Sequence, residues 1–197
     1  MDVLERSAGQ VPEWVVAEMP PGYQTRLAEI QRLWADLGEM DRIGRLLWQI
    51  GDQLTQAVRA VFLALKYDVD SAASGTPCVV VKIDDWRRLL IHVAESDGTI
   101  QRKSGDVAQL FDLLHRTAGD QDRVVLVTNG DRSRPPKDRA EAITPEALAF
   151  VQRMGVNVLR TVDLFKLWRL SHEDGNRART YVDRLHMQDG GAFQIPS

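Results

Sequence analysis

Two short runs rich in β-branched residues, CVVVKI at 78–83 and RLLIHV at 88–93, stand only four residues apart, and nothing else in the chain restricts its fold as much. Runs of this length and make-up read as strands. The link between them, Asp84-Asp85-Trp86-Arg87, leaves room for a hairpin alone, since parallel neighbours need a crossover of about a dozen residues or more. An antiparallel pair therefore sits inside whatever sheet this chain builds.

Around that pair the apolar period is helical. From Tyr23 onward Leu27, Ile30, Trp34, Leu37, Met40, Ile43, Leu47 and Ile50 recur at threes and fours. Gly38 weakens this stripe and predicts a break there, and Gly51 reads as a C-terminal stop before Asp52, a candidate cap for the next helix. Leu54, Val58, Val61, Phe62 and Leu65 give that helix one apolar face, to about Lys66. After a loop that includes Ser71 to Gly75 and after the hairpin, Val107, Leu110, Phe111 and Leu114 predict a further helix, and 123–128 and 156–161 read as strands buried on both faces. Thr144-Pro145-Glu146 carries the signature of a helix start, with a capping hydroxyl and a proline in the first turn; Gly155 ends that helix. Two last helices are expected at about 162–170 and 177–187, before a glycine-containing tail.

Helices, hairpin, helix, strand, helix, strand, helices: this order predicts an α/β sandwich whose sheet is mixed, antiparallel at the hairpin and parallel at the later crossovers. The chain divides into an N-terminal arm and helical extension over 1–45, with Pro12, Pro20 and Pro21 around an apolar Trp14-Val15-Val16, and an α/β domain over 46–197. At 197 residues with 44% hydrophobic and 27% charged side chains, one sizeable core is affordable. A net charge of −3 does not indicate a dedicated nucleic-acid coat, though a local basic patch is compatible with it. The lone cysteine, Cys78, has no partner for an intrachain disulfide. No apolar run of about 18 residues occurs, so the expectation is a soluble, cytoplasmic protein with no membrane association.

The order of elements resembles that of the PD-(D/E)XK, or restriction endonuclease-like, nuclease superfamily. The words that carry the resemblance are LLWQIGDQLTQAV for the helix ahead of the hairpin, TPCVVV and RLLIHVAESDG for its strands, GDVAQLFDLL for the next helix, and VVLVTNGDRSRPPKDR for the following strand and loop. The resemblance implies an α/β/α sandwich and a site in which an aspartate on the first hairpin strand and Glu-x-Lys on the second hold a divalent cation and activate water. The chemistry is intelligible: phosphodiester hydrolysis needs the phosphate's charge offset and a nucleophile made near neutral pH, which hard cations on oxygen ligands supply.

At the matching positions this chain carries other groups. Pro77-Cys78 stands for Pro-Asp, His92-Val93-Ala94 for Glu-x-Lys, and Thr55 for a helical glutamate; Gln109 alone matches a polar residue that some members hold near the site. Moving the second strand's register by three would offer Glu95 but place Asp97 where the lysine belongs and break the apolar alternation. The resemblance thus implies a degenerate member with a pocket formed by Thr55, Cys78, His92, Ala94 and Gln109, no catalytic residue, no metal and no cofactor, serving as a protein-binding or assembly component. A divergent metal-dependent nuclease drawing on Glu95, Asp97 or Asp84-Asp85, and a nucleic-acid-binding module without cleavage, are the alternatives.

Each residue also has a plainer reading. Cys78 reads in preference as a small core hydrophobe, His92 as a hydrogen-bonded remnant of the pocket and Gln109 as helical polar surface or a cap to a nearby backbone group; Cys78 and His92 alone make no zinc site, and His115, His172 and His186 show no ligand spacing. Arg102 and Lys103 are candidate nucleic-acid contacts. Arg87-Arg88 and the group Arg132, Arg134, Lys137 and Arg139 sit beside aspartates and read as solvated loop in preference to a phosphate rim. Trp14, Trp34 and Trp48 are candidate anchors for a protein partner or a second copy of the chain, and the 27–50 stripe serves either such a seam or packing within the chain.

Overall fold

The computed structural model describes residues 15, 18–71, 78–95, 98–116 and 119–196. Two compact units are present, Met1–Asp41 and Arg42–Ser197. Helix α1, Tyr23–Gly44, makes up most of the described part of the first and runs three residues into the second. It passes through Gly38 unbroken, against the predicted break. A single interior glycine costs about 1 kcal/mol relative to alanine, too little to end a helix that continues for two turns beyond it.

The second unit contains a 3₁₀ turn at Arg45–Leu47, then α2 (Gly51–Ala64), β1 (Asp68–Ser71), β2 (Val79–Lys82), β3 (Arg88–Val93), α3 (Gly105–Arg116), β4 (Asp122–Thr128), a second 3₁₀ turn at Pro136–Asp138, α4 (Pro145–Arg153), β5 (Asn157–Arg160), α5 (Thr161–Glu173), α6 (Gly175–Met187) and β6 (Gly191–Phe193). Gly51 does not stop a helix; it opens α2 with a φ of 57°, a left-handed value that glycine reaches without steric cost. The Thr144 hydroxyl caps α4 as expected, accepting the Ala147 N–H at 3.3 Å, and Gly155 closes that helix at a φ of 72°.

The strands form one six-stranded sheet in the order β1-β2-β3-β4-β5-β6. β1, β2 and β3 pair antiparallel and β3 to β6 pair parallel, the mixed sheet that a hairpin followed by crossovers demands. Side chains alternate between its faces. One face packs Leu89, Ile91, Val93, Val125 and Val127 against α2, α5 and α6. The other packs Leu90, Ala94, Val124, Leu126 and Val158 against α3 and α4. The result is an α/β/α sandwich.

Two strands have no counterpart in the sequence reading. β1 is Asp-Val-Asp-Ser, a poor strand former by composition, and it forms because the edge of β2 accepts it, with Val69 opposite Val81 and the Lys82 ammonium 2.7 Å from Asp70. β6 is Gly-Ala-Phe. Its approach to α4 depends on Gly190, where an added Cβ would sit 2.5 Å from the Gln152 carbonyl oxygen.

Candidate functional site

The second hairpin strand delivers His92 and Ala94 to the same face as Leu90, because β3 alternates. Val79 pairs with Ile91, so one step further along the ladder Cys78 stands opposite His92, and Cys78 packs against the same cluster. α3 covers this face with Val107, Leu110 and Leu113. Its first turns also carry Asp106 and Gln109, one turn apart.

His92 is 2% exposed and Asp106 4%. The imidazole Nε2 lies 3.4 Å from Asp106 Oδ1, and the Glu95 backbone N–H donates to the same oxygen at 2.9 Å. A carboxylate in the first turn of a helix is favoured by the helix dipole, and here it ties the end of β3 to the start of α3. Ala94 is 3% exposed and donates its N–H to the Val127 carbonyl at 2.9 Å, extending the β3–β4 ladder. Gln109 Oε1 is buried with no hydrogen-bond partner in the protein. Cys78, His92, Ala94 and Gln109 thus belong to one layer. Thr55 belongs to the other: it sits on α2, which packs on the opposite face, and its hydroxyl donates to Gly51 O at 3.2 Å within its own helix.

What this layer can do follows from its donors. A hard divalent cation wants several oxygen ligands, and among the described residues no three His, Cys, Asp or Glu side chains gather to hold a metal ion. The layer holds one buried carboxylate with its hydrogen bonds directed at protein groups, a histidine facing it, and a methyl group at the position where a lysine is implied.

The remaining candidates lie elsewhere. Arg102 and Lys103 are exposed in the turn before α3; the Arg102 guanidinium is 3.4 Å from Glu146 and stacks 4.9 Å above the Phe150 ring. Trp34 and Trp48 are 46% and 55% exposed. Trp14 lies outside the described residues. Within the proline-rich loop Arg139 departs from the solvated-loop reading. It donates to the carbonyls of Leu47 and Arg134 and to Asn129 Oδ1, and Asn129 donates in turn to Gln49 O at 2.9 Å. Burial lowers the Arg139 pKa below its usual value, and its planar fork clamps the loop to the segment ahead of α2.

Sequence reasoning also missed an open groove of about 890 Å³ at the hairpin link, lined by Tyr67, Lys82, Asp84, Trp86, Arg87 and Arg179 among others. Trp86 is 80% exposed at its rim. The groove's charges largely answer one another: Arg87 is 2.6 Å from Asp84 and 3.3 Å from Asp183, and Lys82 holds Asp70. The signal in the sequence was a tryptophan set in a four-residue link of otherwise charged residues.

No protein-family model matches the chain, and no curated protein matches it. Among solved structures, that of the restriction endonuclease FokI superposes with a TM-score of 0.49 at 9% identity, over 77% of this chain and 30% of that one. The chain therefore spans less than a third of that protein's length. No described helix is long and apolar enough to cross a membrane.

Proposed function

We propose that the α/β unit is a degenerate restriction endonuclease-like domain, without hydrolytic activity, that works in the cytoplasm as a protein-binding or assembly component. The observation that carries this reading is the use to which His92 is put. Its ring faces Asp106 inside a closed layer, beside Ala94, at the two positions where the resemblance implies a metal-binding carboxylate and a water-activating lysine. A methyl group bears no charge, and an imidazole 2% exposed offers neither phosphate nor water an open position.

The binding half of the proposal rests on α1. Ile30, Leu33, Trp34, Leu37 and Met40 are each 40% exposed or more and recur at threes and fours along the helix. A stripe of this kind is the chemistry of a protein contact, not of a phosphate backbone. Purified chain incubated with Mg²⁺ or Mn²⁺ and single- or double-stranded DNA and RNA is expected to leave them uncut. Cleavage that vanishes in His92→Ala or Cys78→Ala would overturn the first half. For the second, Trp34→Glu is expected to abolish association measured by light scattering or by copurification from the native cell; association unchanged in that variant would remove α1 as the contact.

A further inference from the structure

The carboxyl ends of β4 and β5 border a cleft that the assembly role does not use. It encloses about 170 Å³ between the sheet and the start of α4, with Ile143, Leu148, Val158 and Ala192 among its walls. That is room for a body the size of a benzene ring, which a dry apolar cavity of about 150 Å³ in another protein accepts.

Four polar residues border this space, Thr128, Glu141, Arg160 and Gln194, and the first three decide what it can hold. Thr128 lines it, is 2% exposed, and leaves its Oγ1 buried with no hydrogen-bond partner in the protein. A hydroxyl in that condition is costly unless something else supplies the bond. Arg160 is its register partner across the β4–β5 ladder and lines the same cleft. Arg160 Nε donates to Asp163 at 2.8 Å, while Nη1 stands 4.0 Å from Glu141, beyond hydrogen-bond reach. The Glu141 side chain is 75% exposed, so its hold on the guanidinium is weak. A second carboxylate arriving from the cleft would displace it into water.

We propose that this cleft binds a small carboxylate on an apolar body of about one ring, the carboxylate lying on the Arg160 guanidinium edge and taking a hydrogen bond from Thr128 Oγ1. Planar guanidinium and planar carboxylate match as a two-bond fork, and the walls fill the rest. Glu141 is the gatekeeper at the mouth.

The test uses the full ¹⁵N-labelled chain, with benzoate as the probe and the amides of Thr128, Val158, Arg160 and Ala192 as reporters. Benzoate is expected to shift them saturably, with half-saturation on the order of 1 mM for so few atoms. Benzyl alcohol, which keeps the ring and loses the charge, and acetate, which does the reverse, should each bind at least about ten-fold more weakly. Ala192→Phe, at an exposed position on the wall, should abolish the shifts; Thr128→Val, close to isosteric, should weaken binding about five-fold; Glu141→Gln should strengthen it. No saturable shift with benzoate would overturn the proposal. Equal binding of benzyl alcohol would overturn it too, as would wild-type affinity in Thr128→Val.

Discussion

On β3, Leu89, Ile91 and Val93 turn to one face of the sheet while Leu90, His92 and Ala94 turn to the other, so a single strand feeds two different interiors. Among the described residues the first cluster joins 26 buried apolar residues from α2, α5, α6, the sheet and the segment ahead of α2, the second 14, and that imbalance places most of the buried hydrophobic area on the first face. Polar groups there, such as Asn157 donating to the carbonyls of Leu185 and Gln188, tie down a helix end and the tail. Buried polar atoms without a protein partner occur on both faces, Asn157 Oδ1 and Trp168 Nε1 on the first and Gln109 Oε1 and Thr128 Oγ1 on the second, and the second face also holds His92 against Asp106. The first face supplies stability. The second holds fewer buried apolar residues and, among them, the His92–Asp106 pair.

The most direct way to break this comparison uses two adjacent residues. Ile91 and Leu90 are both 0% exposed and point to opposite faces. Truncating a buried aliphatic side chain to alanine costs about 2–5 kcal/mol, depending on how far the surroundings collapse. Ile91→Ala is expected near the upper end and Leu90→Ala nearer the lower, read from urea unfolding midpoints at constant slope. Equal losses, or the reverse order, would mean that the faces do not differ in packing.

A smaller effect sharpens what the polar pair is for. His92→Ala removes the group facing the buried Asp106 carboxylate and opens a gap in the α3 layer. The expected cost is about 1–3 kcal/mol, with His92→Gln, which restores a donor, recovering part of it. A variant as stable as the wild type would show that the pair contributes nothing to holding α3 on the sheet.

How legible this was in the sequence depends on the kind of signal. The hairpin, the mixed sheet and α2 to α6 were readable because each rests on a local apolar period or a cap, as Thr144-Pro145-Glu146 does. β1 and β6 were not, because Asp-Val-Asp-Ser and Gly-Ala-Phe become strands only through the neighbours that accept them. Of the residues that the resemblance groups, Cys78, His92 and Ala94 could be brought together from strand alternation, and Gln109 from the helix that follows. Asp106 went unread as a partner of His92, since a helix-first-turn acid looks like an ordinary dipole complement, and that Thr55 lies in the other layer was not readable because sequence order does not reveal which face a helix covers. Arg139 looked solvated for a similar reason. Its carbonyl partner at Leu47 lies 92 residues away.

The hairpin link gives the smallest expected effect and a contrast with both interiors, since its order comes from exposed charge. Asp84 accepts from Arg87 Nε at 2.6 Å and from the backbone N–H groups of Trp86 and Arg87 at 3.0 and 2.7 Å. These bonds, the Arg87 side chain first, bring its pKa from 3.8 down to about 2. A carboxylate whose folded-state pKa is depressed contributes stability that is complete above its unfolded value and disappears as pH falls through the folded one. That window runs from about pH 4 to about pH 2. Asp84→Asn keeps an acceptor for the turn but loses the charge, so its unfolding midpoint should lie slightly below that of the wild type at about pH 5 and converge on it by about pH 2. Because the group is exposed, added salt should narrow the gap. Parallel pH curves for the two proteins would show that the link is held by its backbone hydrogen bonds and the strands it joins, with no measurable part for the Asp84–Arg87 pair.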